Sequence, residues 1–209
     1  MDTSYTSPAP PVDYLTPLKD VDVPAEHQST LNKYRSLATS WGVAPDVAVC
    51  YRVRAGFTLK HHVPTSGSSR EDFSHLQEWN CLDEPTKDSF VFWIPRIVPD
   101  SNAQPKDALM RLLGEIRTLN KLPTHHLRNF GNVDLLAGLI IVHYKATNER
   151  VPPERLWAYT DTCAPAFGRL YLSFSVKVGL VCGYYQGLVD YQPNDEVTAF
   201  ALGVETLGR

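Results

Sequence analysis

Residues 49–63 read Val-Cys-Tyr-Arg-Val-Arg-Ala-Gly-Phe-Thr-Leu-Lys-His-His-Val and alternate between apolar and polar side chains. Val49, Tyr51, Val53, Ala55, Phe57, Leu59 and Val63 share one side, and Arg52, Arg54, Thr58, Lys60 and His62 the other. Successive side chains of a strand point to opposite faces, so this run predicts one strand, bent at Gly56, with a buried and a polar face. Same-face neighbours would stand about 6.6 Å apart. Arg52, Arg54, Lys60 and His62 would then form a cationic row able to hold a phosphate or carboxylate. The competing expectation is that acids of a neighbouring strand (Glu71, Asp72, Glu78, Asp83 or Glu84) neutralise the row.

The remaining pattern sets this strand in an α+β fold. Residues 1–23 are rich in Pro, Ser, Thr and Asp and predict a flexible N-terminal tail, leaving 24–209 as a single globular domain. Pro24 suits a first helical turn; Leu31, Tyr34, Leu37, Ala38 and Trp41 follow at helical spacing, and Gly42 stops the helix. Residues 89–94 form an apolar, aromatic and β-branched run, a buried strand ended by Pro95. Pro105 opens another helix, with Leu109, Leu112, Leu113, Ile116 and Leu119 as its stripe. Asn132 is placed to cap a third helix running to about Asn148. After Pro152 and Pro153 the texture changes to strands at 155–160, 169–178, 179–185 and 197–204. Helix, strands, paired helices and strands in that order predict a mainly antiparallel sheet with about three helices packed on one side.

Charge and cysteine usage narrow the function classes. Lys and Arg number 20 against 23 Asp and Glu, for a net charge of −3, which disfavours a dedicated nucleic-acid binder. Cys50, Cys81, Cys163 and Cys182 are irregularly spaced, as free thiols of a reducing compartment are. The chain opens without a basic and apolar leader, and its longest strongly apolar run, residues 135–142, is far short of the ~20 residues of a membrane span. A soluble cytoplasmic protein with no membrane partner is the expectation.

Phosphate-binding, dinucleotide, zinc-protease and nucleophile-elbow motifs are absent. Cys50, beside Arg52 on the polar face, has a cation to lower its pKa, although buried inert cysteine is the commoner fate. Tyr171, Tyr184 and Tyr185, among Gly179, Gly183 and Gly187, have the composition of a recognition surface. His125 and His126 lie in a turn expected to approach the helix that carries His143, with Asp134 or Asp161 nearby. No carboxylate stands at a diagnostic spacing from these histidines or from the other group, His61, His62 and His75, so neither metal nor cofactor is expected. The sequence therefore predicts a non-catalytic binding module for an anionic ligand or a protein partner, through Arg52, Arg54, Lys60, His62, Tyr171, Tyr184 and Tyr185. The alternative is an enzyme, a hydrolase with a site lined by His125, His126, His143 and Asp161.

Overall fold

One strand, β3 (Ser89–Ile97), organises the molecule because both of its faces are buried. Val91 and Trp93 enter one apolar cluster, while Phe92 and Ile94 enter another. The computed structural model describes residues 13–62, 84–164, 168–175, 179–183 and 196–207. Within them lie β1 (Leu15–Pro17), α1 (Ala25–Ser40), β2 (Val49–Val53), the single turn α2 (Leu59–His62), β3, α3 (Lys106–Leu119) and α4 (Val133–Thr147). β4 (Trp157–Ala164), β5 (Gly168–Ser175), β6 (Gly179–Gly183), β7 (Val197–Thr198) and β8 (Phe200–Thr206) follow.

The fold is α+β and mainly antiparallel, in two sheets of order β1-β2-β3-β8 and β6-β5-β4-β7; among the described residues only the β4–β7 pair is parallel. The helices divide between the two clusters. Leu31, Tyr34 and Leu37 of α1 join Leu109 and Leu113 of α3 beside Phe92. α4 is buried at every position from Val133 to His143, because strands of both sheets contribute to its cluster. Its first turn is secured as expected: Leu135 N–H donates to the Asn132 side chain at 2.8 Å, a cap worth about 1 kcal/mol.

Three sequence expectations are corrected. The strand beginning at Val49 ends at Val53, because the chain turns through Gly56 at φ +107° and is held there by Thr86. Gly56 N–H donates to Thr86 O, and Phe57 N–H to Thr86 Oγ1, both at 3.0 Å. Residues 59–62 then coil into α2; a run this short fits an alternating pattern as well as a helical one. Pro95 does not end β3: the register with β8 shifts between Ile94 and Ile97, so the missing N–H falls at an irregularity of the ladder. The segment from residue 13 to 23 is built into the fold, with β1 pairing β2 and Leu15 wholly buried. Arg35 of α1 also grips the Asp20 carboxylate bidentately. Residues 1–12 lie outside the described residues. Among those described, no helix is long and apolar enough to cross a membrane.

Candidate functional site

The cationic row is dispersed. Arg52 remains on β2, but its guanidinium donates to Asp88 Oδ1 (3.2 Å) and to the carbonyls of Val53 and Ser89. It also lies 5.3 Å from the centre of the Phe90 ring. A neutralising acid is thus Asp88, next to the paired strand; of the acids named from sequence, Glu71, Asp72, Glu78 and Asp83 lie outside the described residues. Arg54 is exposed where β2 has ended, and Lys60 sits on α2. His62 is buried, with Nδ1 at 2.8 Å from Thr58 O and its ring edge-on to Tyr14. Strand, turn and helix give these side chains no common face.

Other candidates fall into the core or outside the described residues. Tyr171 is buried against Tyr159, and Tyr184 and Tyr185 lie outside the described residues. Cys50 is buried rather than on a polar face, and loss of hydration pushes its thiol up to about 12, so it is an inert core side chain.

His143 is separated from His125 and His126 by β3 itself. It meets the Trp93 ring edge-on, whereas His126 packs against Phe92, and adjacent strand residues face opposite ways. His143 Nε2 lies 3.2 Å from Glu149 Oε2, and Arg96 holds the other carboxylate oxygen at 2.8 Å. Burial holds the His143 imidazole below its ordinary value, against the opposing pull of Glu149. The unfolded chain therefore takes up this proton first, and stability falls as pH drops below about 6.5 until the folded group titrates as well. His143→Gln keeps an amide facing Glu149 but has nothing to titrate. Its urea midpoint should decline less than that of the wild type between about pH 7 and about pH 5; parallel declines would show that His143 does not contribute.

His125 and His126 do converge, on a carboxylate that spacing could not reveal. Neighbours on a strand would diverge, but residues 124–127 form a turn, with His126 N–H bonded to Pro123 O and Leu127 at φ +50°. Leu127 N–H then donates to Leu202 O at 3.1 Å and seats the turn on β8. Glu205 of β8 receives both rings: His125 Nε2 is 2.9 Å from Oε2 and His126 Nε2 is 3.0 Å from Oε1. His126 is fully buried, and Tyr34 Oη stands 3.3 Å from its Nδ1. Burial lowers the His126 pKa to about 4 despite Glu205, and His125 adds to the lowering, so the ring is neutral at physiological pH. Tyr34 keeps its proton because burial, reinforced by Glu205, raises its pKa.

Around the edge of β8, on the α4 side, a cleft of about 490 Å³ opens. Val53, Leu135, Leu202 and Val204 supply its apolar surface, with Lys87, His125, Asn129, Asn132 and Asp161 among its polar groups. Asp161 clamps the wall, since its Oδ2 accepts from Gly131 N–H and its own N–H donates to Gly131 O, both at 2.8 Å. Burial raises the Asp161 carboxyl above its usual value, in opposition to the Gly131 hydrogen bond. Gly131 is needed there twice over: φ is +82°, and a Cβ would lie 2.6 Å from Leu202 Cδ2. Of the four residues expected to line a histidine site, His125 and Asp161 share the cleft, His126 lies behind His125, and His143 is elsewhere. Glu205, Tyr34 and Gly203 were missed; an acidic residue at the end of an otherwise apolar strand is the one signal that pointed to Glu205. No family model, curated protein or solved structure matches this chain.

Proposed function

We propose that the chain is a non-catalytic binding protein that holds a small polar ligand in the cleft between β8, the turn at 125–132 and the segment at 84–89. The observation that carries this reading is the cleft itself, where a few hydrogen-bonding side chains converge over an apolar floor. Its charges are mixed, with Lys87 against Glu84 and Asp161, and the His125 imidazole adds a further hydrogen-bonding group. That balance favours a ligand bearing both donors and acceptors over a polyanion. Thr206 is exposed and lines the cleft, so Thr206→Trp should fill the opening without disturbing the core. A library of sugars, amino acids and small carboxylic acids, screened by thermal shift and ligand-observed NMR, should give hits on the wild type that vanish in Thr206→Trp. Hits retained in the variant would place binding elsewhere and end this reading.

A hydrolytic reading has one observation in its favour: His125 and Asp161, whose carboxyl is raised by burial, border the same cleft. Asp161→Asn would then abolish turnover of a ligand that it still binds. Equal turnover by the two proteins would remove Asp161 from any chemistry.

A further inference from the structure

The contact between Glu205 and the two histidines is incomplete as hydrogen bonding. His126 Nε2 is buried and only 3.0 Å from Glu205 Oε1, yet its direction makes no hydrogen bond, and it finds no other partner among the described residues. A neutral imidazole carries one proton and one lone pair. With the proton on Nδ1, donated to Tyr34 Oη, Nε2 keeps a buried lone pair beside a carboxylate but not pointed at its oxygen, an arrangement that suits a cation held by both. A histidine whose second nitrogen is engaged by a hydrogen-bond partner is the usual form of a metal-ligating imidazole. Tyr34 is fully buried and stacked on Phe92, so it fixes the ring plane.

We infer that His125, His126 and Glu205 form a binding site for one divalent transition-metal ion of the zinc type, with His125 Nε2, His126 Nε2 and a Glu205 oxygen as ligands. The three ligand atoms lie within 4.8 Å of one another. Ligands at zinc bond lengths of about 2.0–2.2 Å in a tetrahedron stand roughly 3.3 Å apart, so small side-chain rotations suffice to close the site. Two imidazoles and a carboxylate select this class of ion over calcium or magnesium, which take oxygen ligands. The His125 side chain is 51% exposed and that of Glu205 25%, which gives an ion access and leaves a coordination position for water. Tyr34 is a positioning residue here and does not touch the ion. The site lies on the α1 side of β8, since Glu205 and Gly203 alternate with the cleft-lining Leu202, Val204 and Thr206. It therefore stands apart from the ligand cleft, although His125 borders both.

The test uses the full chain, stripped with a chelator and titrated with Zn²⁺ by calorimetry and with Co²⁺ by visible absorption; native mass spectrometry counts the ions. One equivalent should bind, and Zn²⁺ should raise the melting temperature. His125→Ala and Glu205→Gln, chosen because His126 is too buried to replace safely, should each weaken binding by at least about tenfold, as even supporting residues of metal sites do. His143→Gln should bind like the wild type. Thr206→Trp should also bind normally, so that failure of the cleft reading and failure of this one are told apart. Absence of a stoichiometric ion, or an ion held equally well by His125→Ala and Glu205→Gln, would overturn the inference.

Discussion

Gly203→Ala is expected to destabilise the fold by about 3 kcal/mol, the upper end of the cost of forcing extra volume into a filled core. Gly203 pairs with Phe92 across β3 and β8, and the His126 and Tyr34 side chains cover its backbone. A Cβ there would collide with His126 Nδ1 and Tyr34 Oη. Neither can retreat. Tyr34 is fully buried against Phe92, and the His126 turn is bonded to β8 at Leu202. The sign of the effect is diagnostic, because alanine usually stabilises a strand or turn wherever the backbone allows it, by reducing the freedom of the unfolded chain. Chemical denaturation should show a lower midpoint with an unchanged slope. Zinc affinity should fall in the same variant, since displacing the Tyr34–His126 contact reorients a ligand. Stability within about 0.5 kcal/mol of the wild type would mean that the turn does not sit on β8 as described.

Trp93→Ala should cost about 3–5 kcal/mol, whereas Trp93→Phe should cost less than about 1.5 kcal/mol. Trp93 is fully buried at the middle of β3, with Phe200, Tyr51 and His143 around its ring. Truncation to alanine opens a cavity that a strand paired on both sides cannot collapse to fill. Phenylalanine retains much of the ring. It also removes the indole Nε1–H, which is buried without a hydrogen-bond partner among the described residues and therefore carries a desolvation cost. Urea denaturation followed by circular dichroism separates the two outcomes. Equal losses for the two variants would assign the cost to the indole nitrogen instead of to volume. A loss under about 1 kcal/mol for alanine would show that β3 is not the shared wall of two cores.

These two positions show which parts of the molecule could be read in one dimension. Leu31, Tyr34 and Leu37 announced α1 by spacing, and Asn132 announced the start of α4, because helical periodicity and capping act within a few residues. The apolar run of β3 likewise marked a strand without polar relief. That Tyr34 would end beneath His126, and that both would press on Gly203, required α1, the turn at 124–127 and β8 to meet. The alternation at residues 49–63 misled beyond Val53. Periodicity counts polar and apolar positions but is blind to the Thr86 hydrogen bonds that turn the chain at Gly56. Asp88 escaped notice as the partner of Arg52 because its nearness follows from the register of β2 on β3.

The α+β class and the positions of α1, α3 and α4 follow from local chemistry, which composition and spacing carry directly. Which charges end up paired, which histidines meet and where a cleft opens were decided only by the tertiary structure. Those outcomes depend on strand order and register between residues far apart in the chain, and the side-chain pattern of an isolated segment is compatible with many such pairings.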